Sequence, residues 1–191
     1  RAVLPAVVGN LDDGPDERFT DEVREILKKK GVKATFFLLG ENMERHPGIA
    51  KALVKDGHLI ASHGYSHEEV VSLSRAALKN ELETAGRLIE KISGRSGGLF
   101  RPPRGRLSVA AMLNLSLAGA KTVLWTRTSS DYKKAGARDI IDNIGADTVA
   151  GGSILLFHDN NEYTVEALPV IIDALKKRGL RFVTLEGLEK V

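Results

Sequence analysis

The sequence predicts an α/β domain built on a parallel sheet with helices packed outside it. Three observations lead there. Short apolar runs alternate with longer helical stretches from end to end of the 191 residues. Several helical stretches stop at a glycine: Gly31, Gly57 and Gly94. The side chains best suited to chemistry (Asp12, Asp13, His63, His67, Arg101, Asp131 and His158) fall at the carboxyl ends of predicted strands. In a parallel barrel those ends open on one rim, where active sites are built.

Ala6–Val8 is expected as the first strand. Thr20 is expected to cap a helix running through Lys30, with Gly31 as its stop. Ala34–Leu39, rich in Phe and Leu, is the second strand, Ile49–Asp56 a helix, and His58–Ser62 the third strand. Ser74 caps a long helix to about Ser93. Leu99–Arg101 is a short fourth strand, and a helix begins at Ser108. Lys121–Trp125 is the fifth strand, followed by a helix near Arg138–Ile144 and a sixth strand at Ser153–Phe157. A helix from about Thr164 to Arg178 follows, with Pro169 expected to kink it or delay its start. Leu180–Thr184 is the seventh strand. Seven strands stand one short of a complete eightfold barrel, and an open doubly wound sheet is the competing architecture.

The composition is that of a globular chain: 42% apolar residues and 28% charged. The length fits a single domain over residues 1–191. With no cysteine, disulfides, thiolate metal sites and a cysteine nucleophile are all excluded. No apolar run reaches the roughly 18 residues a membrane span needs. The basic runs Lys28-Lys29-Lys30, Lys133-Lys134 and Lys176-Lys177-Arg178 are dispersed, two of them at helix ends where cations suit the dipole. They form no concentrated stripe, so no nucleic-acid partner is expected. Arg1 is not a natural start, so the expectation is a mature or trimmed chain whose export signal lies outside it.

Asp12-Asp13-Gly14-Pro15 has the composition of a turn. A turn there would let the two carboxylates take different tasks in one site, one ligating a metal and the other acting as a base. His63-Gly64-Tyr65-Ser66-His67 supplies two imidazoles four residues apart. Gly64 stands where a zincin has its glutamate, so this pair carries no internal base. One carboxylate and two imidazoles suffice to hold a divalent metal with a position open for water. A two-histidine, one-carboxylate set suits iron as well as zinc. The remaining carboxylate and His158 are left to move protons. In Phe100-Arg101-Pro102-Pro103-Arg104-Gly105 two prolines fix the backbone behind Arg101, which can then brace a carboxylate. His46, before Pro47, and His58, after a glycine turn, are expected to be surface or structural residues.

Gly94-Arg95-Ser96-Gly97-Gly98 matches the Gly-x-Ser-x-Gly nucleophile pattern. That elbow needs a strand before it and a helix after it. Here the order is reversed, so the match is read as accidental. No phosphate loop or dinucleotide fingerprint is present.

These motifs, taken in order, resemble the polysaccharide deacetylases of the NodB-homology type, carbohydrate esterase family 4. The likeness covers nearly the whole chain. Its five blocks are similar to Leu11 through Pro15, His63 through His67, Arg101-Pro102-Pro103, Asp131-Tyr132, and Leu156-Phe157-His158, and Gly31 through Phe37 also looks like the family. The resemblance implies a distorted, incomplete (β/α)7-type barrel that removes N-acetyl groups from N-acetylglucosamine-containing polysaccharide or oligosaccharide (chitin oligomers or peptidoglycan), releasing acetate. It implies Asp13, His63 and His67 as ligands of one divalent metal, zinc ahead of cobalt, nickel, manganese or iron. By the same likeness Asp12 is the general base braced by Arg101, Asp131 orients the general acid His158, and Leu156 lines the slot for the acetyl methyl. A monomer, secreted or in the cell envelope, is the matching expectation.

Three departures from the family pattern stand out: Asn10-Leu11 for its usual Thr-Phe, Arg104 for a tyrosine, and Tyr132 for a tryptophan. None is a ligand or a proton carrier. Arg104 and Tyr132 are expected to line the substrate groove, so they bear on substrate preference. The alternatives are an acetyl-xylan esterase or cyclic-amide hydrolase on the same scaffold, and a relative that binds glycans without turnover. A glycosidase fits less well, because it needs two carboxyl groups flanking a sugar bond, and one of the nearby pair is committed to metal.

Overall fold

A computed structural model describes residues 5–96, 98–133 and 136–188. Arg1, Gly97 of the accidental nucleophile match and Lys134 of the middle basic run lie outside these residues. The described chain forms one curled, all-parallel sheet of eight strands. The strands are β1 (Ala6–Asp12), β2 (Thr35–Leu38), β3 (Leu59–Ser62), β4 (Leu99–Phe100), β5 (Lys121–Thr122), β6 (Arg127–Thr128), β7 (Ile154–His158) and β8 (Arg181–Val183). Their order is β5-β4-β3-β2-β1-β7-β6, with β8 also paired to β1. Helices α1 (Phe19–Lys29), α2 (Gly40–Arg45), α3 (Pro47–Lys55), α4 (Arg75–Ser93), α5 (Val109–Leu117), α6 (Ala137–Ile144), α7 (Glu162–Lys177) and α8 (Leu185–Leu188) connect them. The expected incomplete (β/α) barrel is therefore the fold found. The doubly wound alternative is not: the sheet curls, and β5 and β6, at the two ends of the order, do not pair with each other among the described residues, so the barrel stays unclosed.

Alternation along β1 sets what faces where. Val7 and Leu11 join Phe36, Leu38, Phe157, Val23, Leu27 and Ile171 in the main core between sheet and helices. Val8 packs with Phe37, Ala61 and Leu185 in a second cluster inside the curl. Asn10 and Asp12 share Val8's face, so the strand delivers Asp12 to the interior at its carboxyl end, where it stands beside His158 of β7 in register.

Three expectations need correction. The fifth strand, expected over Lys121–Trp125, stops at Thr122 as β5, and a separate strand not expected from the sequence, β6, follows at Arg127–Thr128. The carbonyls of Val123 and Leu124 accept from Nε and Nη2 of Arg101, each at 3.2 Å, so their acceptors serve a side chain. Thr20 is not the cap of α1. Asp16 Oδ1 accepts from the N–H groups of Arg18 and Phe19, and Thr20 sits inside the helix, donating its hydroxyl to Asp159. Finally, α7 begins at Glu162, capped by Asn161, and runs unbroken through Pro169. Pro169 sits on a partly exposed face, where water can serve the Val165 carbonyl that lacks its helical donor.

His46 joins α2 to α3, and His58 is buried with Nδ1 accepting from Ala34 N–H at 3.2 Å. Both stay in structural roles. A helix precedes and a strand follows Gly94, so its match meets no nucleophile elbow. Among the described residues no helix is long and apolar enough to cross a membrane.

Candidate active site

Asp12 ends β1 almost fully buried, and one of its oxygens, Oδ1, accepts from Arg101 Nη1 at 2.8 Å. Arg101 is wholly buried and lies over the Phe37 ring, 4.0 Å from its centroid. Its three bonds to Asp12, Val123 and Leu124 hold the guanidinium without freedom to turn.

The next residue, Asp13, takes a left-handed backbone with φ 76°. For a non-glycine residue that conformation costs on the order of 1–3 kcal/mol and persists only where its surroundings enforce it. The enforcement is visible. Asn42 Nδ2 donates to the Asp13 carbonyl at 2.7 Å. Gly14 is pressed against Asp159, where an added Cβ would lie 2.3 Å from Oδ2. The turn swings Asp13 away from Asp12's direction and toward the histidines.

His63 follows β3, buried, with Nδ1 2.8 Å from the Arg101 carbonyl. That carbonyl can only accept, so Nδ1 is the donor and Nε2 is the nitrogen turned toward Asp13. His67 also has a left-handed backbone, φ 68°. The loop between the two histidines is tied to α4 through Glu81, which accepts from Tyr65 N–H at 2.7 Å, Ser66 N–H at 3.0 Å and the Ser66 hydroxyl at 2.9 Å.

Asp13 Oδ1 lies 3.4 Å from His63 Nε2 and 3.3 Å from His67 Nε2. The three ligand atoms lie within 4.8 Å of one another, and Asp13 Oδ1 is buried with no hydrogen-bond partner. A tetrahedral ion with bonds of about 2.0–2.2 Å separates its ligand atoms by about 3.3–3.6 Å. The donor set, the spacing and the unpartnered oxygen all fit a divalent metal. The protonated Nδ1 of His63 on a backbone carbonyl is the outer contact that orients a metal-ligating imidazole.

Opposite stands His158, whose Nδ1 lies 2.7 Å from Asp131 Oδ1. The other oxygen of Asp131 accepts from His158 N–H and from the Thr164 hydroxyl, each at 2.7 Å. Burial alone would lower the His158 pKa, but the hydrogen bond and charge of Asp131, with the charges of Asp13 and Asp12, outweigh it and push the value up to about 9. The imidazole is therefore held as a cation with Nε2 as its remaining donor.

A cavity of about 460 Å³ joins these groups. Its lining includes Asp12, Asp13, His63, His67, Arg104, Tyr132, Leu156 and His158. All ten residues singled out from the sequence meet here, with Arg101 behind Asp12 and Asp131 behind His158. Tyr132 stands exposed at the edge, its ring edge-on to His158 at 6.1 Å. Pro102, Trp125 and Thr128 also line the cavity and were not anticipated. Trp125 had one available signal: Gly105, where φ is 65° and a Cβ would meet the indole at 2.5 Å. Glu81 and Thr164 carried no local signal, since both lie in helices with ordinary polar patterning.

Comparison with known proteins agrees with this geometry. A family model described as polysaccharide deacetylase matches residues 5–123. Two proteins of Bacillus cereus named peptidoglycan-N-acetylglucosamine deacetylase are each 34% identical over 182 residues. Each alignment covers 93% of this chain, and the chain spans 66% of the length of one relative and 85% of the other. The structure of the peptidoglycan deacetylase PdaC from Bacillus subtilis superposes with a TM-score of 0.90 at 28% identity, covering 98% of this chain and 91% of that one.

Proposed function

We propose, from the premise that this chain belongs to the polysaccharide deacetylase family, that it hydrolyses N-acetyl groups on the amino sugars of an N-acetylglucosamine-containing polysaccharide, peptidoglycan, and releases acetate. The observation that carries this reading is the pairing of two proton carriers, a carboxylate and an imidazole, around one ligand set. Asp12 and His158 flank Asp13, His63 and His67 in a single cavity. A glycan-binding protein without turnover needs neither carrier.

A divalent ion held by Asp13, His63 and His67, with zinc the proposed metal, would supply a Lewis acid for the amide carbonyl and lower the pKa of a water. Asp12 takes the proton of the attacking water. Arg101 occupies its Oδ1, so Oδ2, on the side of His63, is the oxygen left for that proton. His158 then protonates the departing nitrogen from Nε2, turning a very poor leaving group into an amine. Asp131 keeps the acid oriented and charged until that moment. Leu156, on the interior face of β7, receives the acetyl methyl, and a backbone N–H near Arg104 stabilises the developing oxyanion.

Peptidoglycan is favoured over chitin because both Bacillus cereus relatives are named for it. Action on that polymer places the protein in the cell envelope or outside the cell. The test is acetate release from N-acetylglucosamine oligomers and from peptidoglycan fragments after chelation and metal add-back. Activity that follows the metal and vanishes in Asp12→Asn is the expected result. Full activity in Asp12→Asn, or acetate release indifferent to chelation, would remove the proposal.

A further inference from the structure

The rim of the cavity carries a charge arrangement that deacetylation of a neutral sugar does not use. Arg104 and Arg106 converge on Glu69, with Arg104 Nη1 2.9 Å from Oε1 and Arg106 Nη1 2.8 Å from Oε2. One carboxylate answers two guanidinium groups, which leaves one positive charge in excess. The arginine side chains are 68% and 65% exposed, whereas Glu69 is only 19% exposed. Each guanidinium has five N–H donors and spends a single nitrogen on Glu69, so most of its fork faces outward.

Arg104 is also the arginine of the pair that lines the cavity. Its backbone is left-handed, φ 55°, and the next residue, Gly105, follows at φ 65° against the Trp125 ring. The two prolines before it and the indole after it hold this turn. The result is a cation fixed at the mouth, on the same lining as the metal ligand His67 and facing a rim that also holds Tyr132.

We propose that Arg104 is a specificity-determining residue that recognises a carboxylate carried close to the N-acetyl group being removed, and that Glu69 is the positioning residue that holds its guanidinium at the rim. The preferred substrate class is then an acidic amino-sugar glycan. This rests on the deacetylase reading above. A planar guanidinium matches a carboxylate with two parallel hydrogen bonds, a fit that a hydroxyl cannot offer. The carboxylate has two possible sources, an ether-linked acid on the acetylated sugar itself or an acid on the neighbouring unit, and the recognition chemistry is the same for both.

The experiment compares kcat/KM for acetate release by the zinc-loaded protein on oligosaccharides of equal length. One has the carboxylate on the acetylated sugar, one has it on the adjacent unit, and each is paired with its primary-amide counterpart. The expected result is a preference of at least about tenfold for acid over amide in one of the two positions, shrinking in high salt. That ratio falls toward one in Arg104→Gln and recovers in part in Arg104→Lys. Glu69→Gln lowers it by raising KM rather than reducing kcat. A ratio near one in the parent protein, or a ratio unaltered in Arg104→Gln, overturns the inference while leaving the deacetylase reading intact. Should no acetate appear from any substrate, the deacetylase reading fails. Calorimetric binding of the same acid and amide pairs then decides the Arg104 role separately: tighter acid binding lost in Arg104→Gln supports it, and equal binding overturns it.

Discussion

Arg101 holds Asp12 through a 2.8 Å ion pair that is almost wholly out of solvent. Two buried charges of this kind are strongly interdependent. Removing one strands the other, a loss of roughly 3–5 kcal/mol, whereas replacing both by apolar groups is often far less costly. Arg101→Met is therefore expected to lose activity and about that much stability in urea unfolding. Adding Asp12→Leu to it should recover part of the stability and none of the acetate release. A double variant as unstable as Arg101→Met would show that the guanidinium matters for packing on Phe37 and Trp125 rather than for its partner.

As the proposed general acid, His158 should set the alkaline limit of the reaction. Its folded pKa of about 9 lies above the ordinary 6.5, so the charged acid persists to that pH, and activity should fall as pH rises through it. In Asp131→Asn the main raising partner is gone. The alkaline limb of kcat/KM is then expected to move down by about two pH units, toward the ordinary imidazole value. Stability follows the same sign. A raised folded pKa contributes stability that is complete below about 6.5 and lost between there and about 9, amounting to a few kcal/mol at most. Denaturant unfolding of the metal-free protein between pH 6 and pH 10 should show this loss, and Asp131→Asn should flatten it. Identical pH profiles in the two proteins would refute the assignment.

Much of this site was legible in the sequence because its groups are short motifs at strand ends. Asp12-Asp13, the two histidines and His158 announce themselves by residue type, and the parallel topology brings strand ends to one rim. The parts that were not legible act across long sequence separations. The break between β5 and β6 follows from Arg101 taking two carbonyls 22 and 23 residues further on. Glu69 and Glu81 look like ordinary surface acids until the fold sets them against the arginines and against the His63–His67 loop. Thr20 was mistaken for a cap because its hydroxyl serves Asp159, which lies 139 residues away.

Glu81 makes a separate prediction about the metal. It accepts three hydrogen bonds from the loop that carries His67, and His67 needs that loop to keep its left-handed backbone. Glu81→Ala should weaken metal binding by about 10–100-fold, measured by competition against a chromogenic chelator. The deficit in activity should shrink at saturating metal. Glu81→Gln keeps an acceptor oxygen and should lie between the two. Unchanged affinity in Glu81→Ala would mean that the loop is held well enough by α2, where the N–H groups of Gly40 and Glu41 donate to the Gly64 and Tyr65 carbonyls, each at 3.0 Å.

Asp159 offers a test in the opposite direction, a substitution that stabilises. The carboxyl is completely buried, its Oδ1 has no partner, and its one side-chain hydrogen bond comes from Thr20 at 2.6 Å. Burial pushes its pKa up to about 7, with the nearby Asp13 charge adding to the effect and Thr20 opposing it. A carboxyl raised from 3.8 binds its proton more tightly in the folded chain, so stability is greatest below about pH 4 and declines as pH rises toward 7. Asparagine keeps the acceptor for Thr20 and never ionises. Asp159→Asn should therefore gain on the order of 1–3 kcal/mol over the parent at pH 8.5 and little at pH 4. Urea unfolding of the metal-free proteins at the two values decides it. A gain independent of pH would show that the carboxyl stays charged in the fold, and a loss at both would show that the oxygen facing Gly14 tolerates no amide.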